Sequence, residues 1–122
     1  ITQVLIDLIR NGLEAMENVP AEERRLSVEL RNERAGWLRV SITDCGCGVS
    51  VEQQPKLFRA FESTKPGGLG LGLSLCKTII ESHSGQLWHK PATPNGSTFS
   101  FLLPSEERVF ESTVPIISHL EL

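Results

Sequence analysis

The sequence predicts an α+β fold, on three observations. Apolar residues recur at helical spacing at the N-terminus and again after residue 70. Apolar and polar residues alternate along two runs between Leu26 and Ile42, as in a β-hairpin. A second pair of alternating runs lies between Gln86 and Leu103. A chain of 122 residues is long enough for one domain with a modest core.

The first helix covers residues 1 to about 17. Ile1, Val4, Leu5, Leu8, Ile9, Leu13 and Met16 form its expected buried stripe. Gln3, Asp7, Arg10, Asn11 and Glu14 occupy the other side. Asp7 and Asn11 are four apart, so they stand on one face, one turn from each other. A solvated polar face is the plain reading of such a pair. Asn is only a moderate helix former, so its mid-helix position points toward a task. Asn18-Val19-Pro20 ends the helix, and residues 21–24 read as a polar link.

Leu26, Val28 and Leu30 pair with Leu38, Val40 and Ile42 across a turn from Asn32 to Gly36, leaving a charged outer face. Trp37 falls off the alternation, as a surface or edge aromatic. The second strand runs into Thr43-Asp44-Cys45-Gly46-Cys47-Gly48. A carboxylate at a strand end, followed by glycines at alternate positions, suits a site where backbone approaches a ligand. A plain turn closed by an Asp hydrogen bond is the competing reading.

Ser50 is a candidate cap for a short helix over 51–54, and Leu57, Phe58 and Phe61 form an apolar anchor. Residues 65–73 then hold four of the ten glycines, in Lys65-Pro66-Gly67-Gly68-Leu69-Gly70-Leu71-Gly72-Leu73. Such a run is either a mobile loop or a phosphate cradle whose freed N–H groups open a helix. A second helix is expected over 70–84, with Leu73, Cys76, Ile79, Ile80 and His83 buried and Gly85 at C′. Two strands follow, 86–90 and 97–103, around a turn at 91–96. Phe99, Phe101 and Leu103 share one face. Pro104 closes the domain. Residues 105–122 are less regular: a tail, a linker, or a strand docked on an open sheet edge.

Net charge is −3 and the basic residues are scattered, so nothing argues for a nucleic-acid partner. No apolar run reaches the length of a membrane span, and no signal peptide opens the chain. Beginning at Ile1 within an amphipathic pattern, the chain reads as a fragment of something longer. The three cysteines lack metal-ligand spacing with the three histidines and point to a reduced, intracellular protein.

Taken in order, these pieces resemble the ATP-binding catalytic domain of sensor histidine kinases, in the superfamily shared with gyrase-type ATPases, heat-shock chaperones and mismatch-repair ATPases. The resemblance covers about Gln3 to Leu103. Residues Gln3 to Met16 resemble the N box, with Asn11 on its magnesium-binding asparagine. Asp44-Cys45-Gly46-Cys47-Gly48 resembles the G1 box, with Asp44 on the adenine-reading aspartate. Leu57-Phe58-Arg59-Ala60-Phe61 resembles the F box. Thr64-Lys65-Pro66 opens what is similar to a short ATP lid, with Lys65 reaching phosphate. Gly68-Leu69-Gly70-Leu71-Gly72-Leu73 matches the G2 box. Asn95-Gly96-Ser97-Thr98-Phe99 resembles the turn before the last strand, with Thr98 near the aspartate. Any one of these is a weak signal; the five boxes and turns, with the lid between them, are specific because they come in the correct order.

The resemblance implies a two-layer α/β sandwich of Bergerat type. Its sheet would be mixed but mostly antiparallel, with helices packed on one face, a short lid, and the first strand lacking. It implies a kinase catalytic domain at 1–104, with 105–122 of unknown role. Its cofactors would be ATP and Mg2+, with Asn11 as metal ligand. Asp7 and Asn11 would be catalytic. Asn11, Asp44, Gly46, Gly48, Phe61, Thr64, Lys65, Gly68, Leu69, Gly70, Leu71, Gly72, Leu73 and Thr98 would contact nucleotide. The γ-phosphoryl group would pass to a histidine on a separate dimerisation domain and then to a response regulator, in a cytoplasmic, homodimeric kinase. No phosphoacceptor context surrounds His83, His89 or His119, so the chain alone would bind ATP without autophosphorylation. Two departures stand out. Kinases of this family usually carry Asn where Asp7 stands, and related ATPases carry a Glu that activates water. Cys45 replaces a usual Asn. An ATP-hydrolysing conformational module is the alternative.

Overall fold

The structure is a computed structural model and describes residues 1–59, 72–106 and 111–118. Helix α1 spans Thr2–Ala15 and helix α2 Gly72–Ser82. Strands β1 (Arg25–Arg34), β2 (Trp37–Asp44), β3 (Gln86–Pro91), β4 (Ser97–Pro104) and β5 (Ser112–Ser118) form one sheet in the order β3-β4-β2-β1-β5. Every pairing among them is antiparallel. Both helices pack on one face, which makes the fold the expected two-layer α+β sandwich.

Two periodicities meet in the core. Val4, Leu8 and Met16 come from α1, and Cys76 and Ile80 from α2. The sheet supplies Leu26, Val40, Ile42, Leu87, Phe99 and Phe101. Each large apolar side chain buried here contributes about 1.5–3 kcal/mol. Ile1, expected in the stripe, is 38% exposed, because it precedes the first helical turn. The hairpin is longer than the alternation suggests: its strands run to Arg34 and resume at Trp37 around Ala35-Gly36. Trp37 lies under the Arg34 guanidinium, 5.1 Å from ring centroid to Cζ, as an edge aromatic.

Residues 21–24 are more than a link. Ala21–Glu23 forms a single 3-10 turn, and Arg24 is buried. Its Nε donates to Met16 O at 3.1 Å and Val19 O at 2.8 Å, and Nη2 donates to Glu17 O at 3.1 Å. A cation on the carbonyls of the turn just past a helix C-terminus adds charge-assisted bonds to them and opposes the negative end of the dipole.

At the end of α2, Ser84 rather than Gly85 takes the left-handed C′ position, with φ 63°. Ser84 N donates to Glu81 O and Gly85 N to Ile80 O, the two bonds of a Schellman motif. His83 is exposed, not buried: the helix has ended, and its Nδ1 turns back to Ile79 O at 2.9 Å. Residues 112–118 pair with β1 as β5, with Pro115 opposite Ser27. Proline is tolerated there because β5 is an outer strand.

Candidate functional site

The site lies where three backbone segments interlock: the C-terminal end of α1, the turn after β2, and the turn before β4. Asp44 ends β2 and is 4% exposed. Its Oδ1 accepts Gly46 N–H at 2.8 Å and Ser97 N–H at 3.3 Å. Among the described residues, both bonds fall on Oδ1. Oδ2 instead borders the bare backbone of Gly12 in α1, 3.7 Å from where a Cβ would stand. Burial raises the Asp44 pKa, and the two backbone donors only partly oppose that. A desolvated carboxylate with one oxygen still able to accept is primed for an N–H donor from a ligand.

The turn cannot be made with larger residues at Gly46 or Gly96. A Cβ on Gly46 would overlap the Ala15 carbonyl, and one on Gly96 would overlap the Asp44 carbonyl. Cys47 N–H donates to Ala15 O at 3.2 Å, and Asn95 Nδ2 donates to Cys45 O at 2.9 Å and Gly46 O at 3.2 Å. Gly48 closes the turn at φ 73°, against Gly96 O. Cys45 points away from this cleft. Its sulfur accepts Arg25 N–H at 3.3 Å and rests 3.5 Å from Met16 Sδ. Cys47 is exposed.

On α1, Asp7 and Asn11 sit one turn apart, both half-buried. Asp7 Oδ1 accepts from Gln3 Nε2 at 2.8 Å, and the Cys76 thiol of α2 lies 3.8 Å from Oδ2. Burial, then the neighbouring Asp7 charge, pushes the Cys76 thiol up to about 11, so it stays protonated and donates. The Asn11 amide and the Asp7 carboxylate are hard oxygen donors and fit Mg2+. Among the described residues no three His, Cys, Asp or Glu cluster as a metal cage. A cation here would therefore take most of its ligands from phosphate and water.

Thr98 needs correcting. The sequence predicts it beside the aspartate, but its hydroxyl bonds that of Thr43, 2.9 Å away, on the opposite face. The neighbour of Asp44 on this strand is instead the preceding residue, through its main chain: Ser97 N–H donates to Asp44 Oδ1 at 3.3 Å. Thr98 lines a polar groove of about 250 Å³ on the open face, with Ser27, Arg39, Ser41, Thr43 and Trp88. On the helix-covered face, Phe58 meets Phe99 edge-on at 6.2 Å, with Lys77 Nζ 5.5 Å above the Phe58 ring. Gly72 and Leu73 open α2, and Leu73 packs against the core. Phe61, Thr64, Lys65, Gly68, Leu69, Gly70 and Leu71 lie outside the described residues.

Residues 1–107 match the family described as histidine kinase-, DNA gyrase B-, and HSP90-like ATPase. The chain is 39% identical to the sensor protein TdiS of Thauera aromatica over 105 residues, covering 85% of this chain and 19% of that protein. It is 41% identical to the C4-dicarboxylate transport sensor protein DctS of Rhodobacter capsulatus over 104 residues, covering 85% of this chain and 16% of that one. The chain thus spans about a fifth of the length of these curated relatives. Among solved structures, the catalytic domain of histidine kinase ThkA superposes with a TM-score of 0.71 at 36% identity, covering 84% of this chain and 64% of that one. ThkA in complex with the response regulator protein TrrA superposes at 0.65 with 33% identity, over 84% of this chain and 27% of that one.

Proposed function

The chain belongs to the histidine kinase-, DNA gyrase B- and HSP90-like ATPase family as an ATP-binding catalytic domain, and from that premise we propose that it serves a sensor histidine kinase. The γ-phosphoryl group of ATP passes to a histidine on a separate dimerisation domain and then to an aspartate of a response regulator. The observation that supports this reading is the Asp44 carboxylate, held through Oδ1 by two backbone N–H groups while Oδ2 borders Gly12.

In this reading Asp44 accepts the exocyclic amine of adenine. Gly46 and Gly48 let the main chain come close to the base. Asn11 would hold Mg2+ through its side-chain oxygen, and the Asp7 carboxylate, held by Gln3 and Cys76, would offer a hydrogen-bond acceptor to water of that ion. Magnesium, when bound, neutralises phosphate charge. Phe61, Thr64, Lys65 and residues 68–73 contact nucleotide, with Lys65 on phosphate. The nucleophile is an imidazole on another domain, so this chain contributes positioning and electrostatics and does not autophosphorylate alone. Residues 1–104 form the catalytic domain, with 105–122 as an accessory segment that supplies β5. No helix among the described residues is long and apolar enough to cross a membrane. The reading places the domain in the cytoplasm, as part of a homodimeric kinase.

Calorimetry of a non-hydrolysable ATP analogue on the wild type and Asp44→Asn tests the reading. Loss of affinity with the fold retained is the expected result; equal affinity rejects it. A second reading, ATP hydrolysis driving a conformational change, is favoured by the carboxylate at Asp7. Hydrolysis by the chain alone that disappears in Asp7→Asn would select it.

A further inference from the structure

His89 stands on the outer strand β3 with its ring against Phe99, 5.0 Å between centroids. Its Nε2 lies 2.9 Å from Ser97 Oγ. Ser97 is 3% exposed, and its own N–H rests on Asp44 Oδ1 at 3.3 Å. A short run of polar contacts thus links the sheet edge to the site carboxylate through apolar surroundings. Buried polar groups persist where they are bonded, and members of so short a network depend on one another. Against Phe99 alone, an apolar side chain would serve better than an imidazole. Burial also lowers the His89 pKa, so near neutral pH the ring is uncharged and offers one donor and one acceptor nitrogen.

Resting on the assignment of Asp44 to adenine, we propose that His89 is a positioning residue for base recognition. Its bond to the Ser97 hydroxyl fixes the first residue of β4. The Ser97 N–H then stays on Asp44 Oδ1, and Oδ2 is left to the ligand. His89 touches no reacting atom, so its effect falls on affinity for the base and not on affinity for phosphate.

The test is calorimetry on the full chain with two ligands: a non-hydrolysable ATP analogue, and inorganic tripolyphosphate with magnesium. The variants are His89→Phe, His89→Gln, Ser97→Ala and the His89→Phe/Ser97→Ala pair. Phe keeps a ring against Phe99 and loses the bond; Gln puts an amide nitrogen near the place of Nε2. Loss of one such bond weakens the ATP analogue about fivefold to tenfold in His89→Phe, with tripolyphosphate unchanged. His89→Gln should stay within about twofold of the wild type. His89→Phe should add nothing to Ser97→Ala. Wild-type ATP affinity in His89→Phe overturns the proposal. So does an equal loss of both ligands, or an undiminished effect in the Ser97→Ala background. If the phenylalanine variant does not fold, Ser97→Ala decides, since it deletes the hydroxyl that His89 holds: unchanged ATP affinity there overturns the proposal. Asp44→Asn separates the two levels. If it binds ATP as the wild type does, adenine reading by Asp44 fails and the role of His89 falls with it. If it loses affinity and His89→Phe does not, only the role of His89 is overturned.

Discussion

Thr43 and Asp44 are consecutive in β2, yet they meet opposite conditions. On the open face, hydroxyls answer one another: Thr43 bonds Thr98 at 2.9 Å and Ser41 bonds Ser100 at 2.8 Å. Arg39 lies 3.3 Å from Glu33 and 3.9 Å from Glu29 in half-exposed ion pairs, of a kind worth about 0–1 kcal/mol. On the helix-covered face, Asp44 has one oxygen bonded twice while the other looks onto bare backbone. Both faces are polar at this point. A polar group whose partners lie within the fold is scaffold; one held in place with capacity left over is a site.

The sharpest break of that contrast is Asp44→Asn. Loss of a charged acceptor should weaken the ATP analogue by about 100-fold, or about 2.7 kcal/mol. Stability should move the other way. The folded pKa of Asp44 is raised above its ordinary value of 3.8 by burial. Its contribution to stability is therefore complete below that value and is lost as pH rises through the folded pKa. At neutral pH the Asn variant should melt no lower than the wild type, and any advantage should vanish on acidification. Melting curves across that range check the sign.

Gly46→Ala comes next. The new methyl would displace the Ala15 carbonyl or the turn, at a cost of about 1–3 kcal/mol in stability, with nucleotide affinity reduced about tenfold. Urea denaturation and calorimetry read both effects. Asn11→Ala should lower ATP-analogue affinity only when magnesium is present, by about fivefold, and leave magnesium-free binding alone. Titrations with and without the ion compare the two. The smallest effect is on the open face. Thr98→Val leaves the Thr43 hydroxyl without its partner, for about 1 kcal/mol, and should keep nucleotide affinity within about twofold. A large affinity loss there would erase the distinction between the faces.

Some of this was legible in the chain and some was not, for physical reasons. Helical spacing placed Asp7 and Asn11 on one turn-separated face because α1 is regular over that stretch. Asp44 was visible as a carboxylate at the end of an alternating run, and the glycines after it announced a close approach. The choice between Ser97 and Thr98 was not visible, since a strand's parity is set by its pairing with β2 and not by its own composition. Arg24 looked like one more charge in a polar link; only the position of the carbonyls that follow α1 gives it a task. The thiol of Cys76 and the carboxylate of Asp7 meet only when the two helices pack, and His89 reaches Ser97 only through the β3–β4 pairing. The strand at 112–118 has one apolar cluster broken by Pro115, and an outer position is where such a strand survives.

The interlock of Ala15, Gly46 and Gly96 is made almost wholly of main chain. Main-chain atoms are the same whatever the side chains at neighbouring positions, so the cleft is insulated from much local sequence drift. A library randomised at residues 45 and 47 should yield many binders, Asn and Ser at 45 among them. One randomised at 46 and 96 should return glycine almost alone. Heritable variation can therefore accumulate along the rim of this cleft while its shape is inherited unchanged.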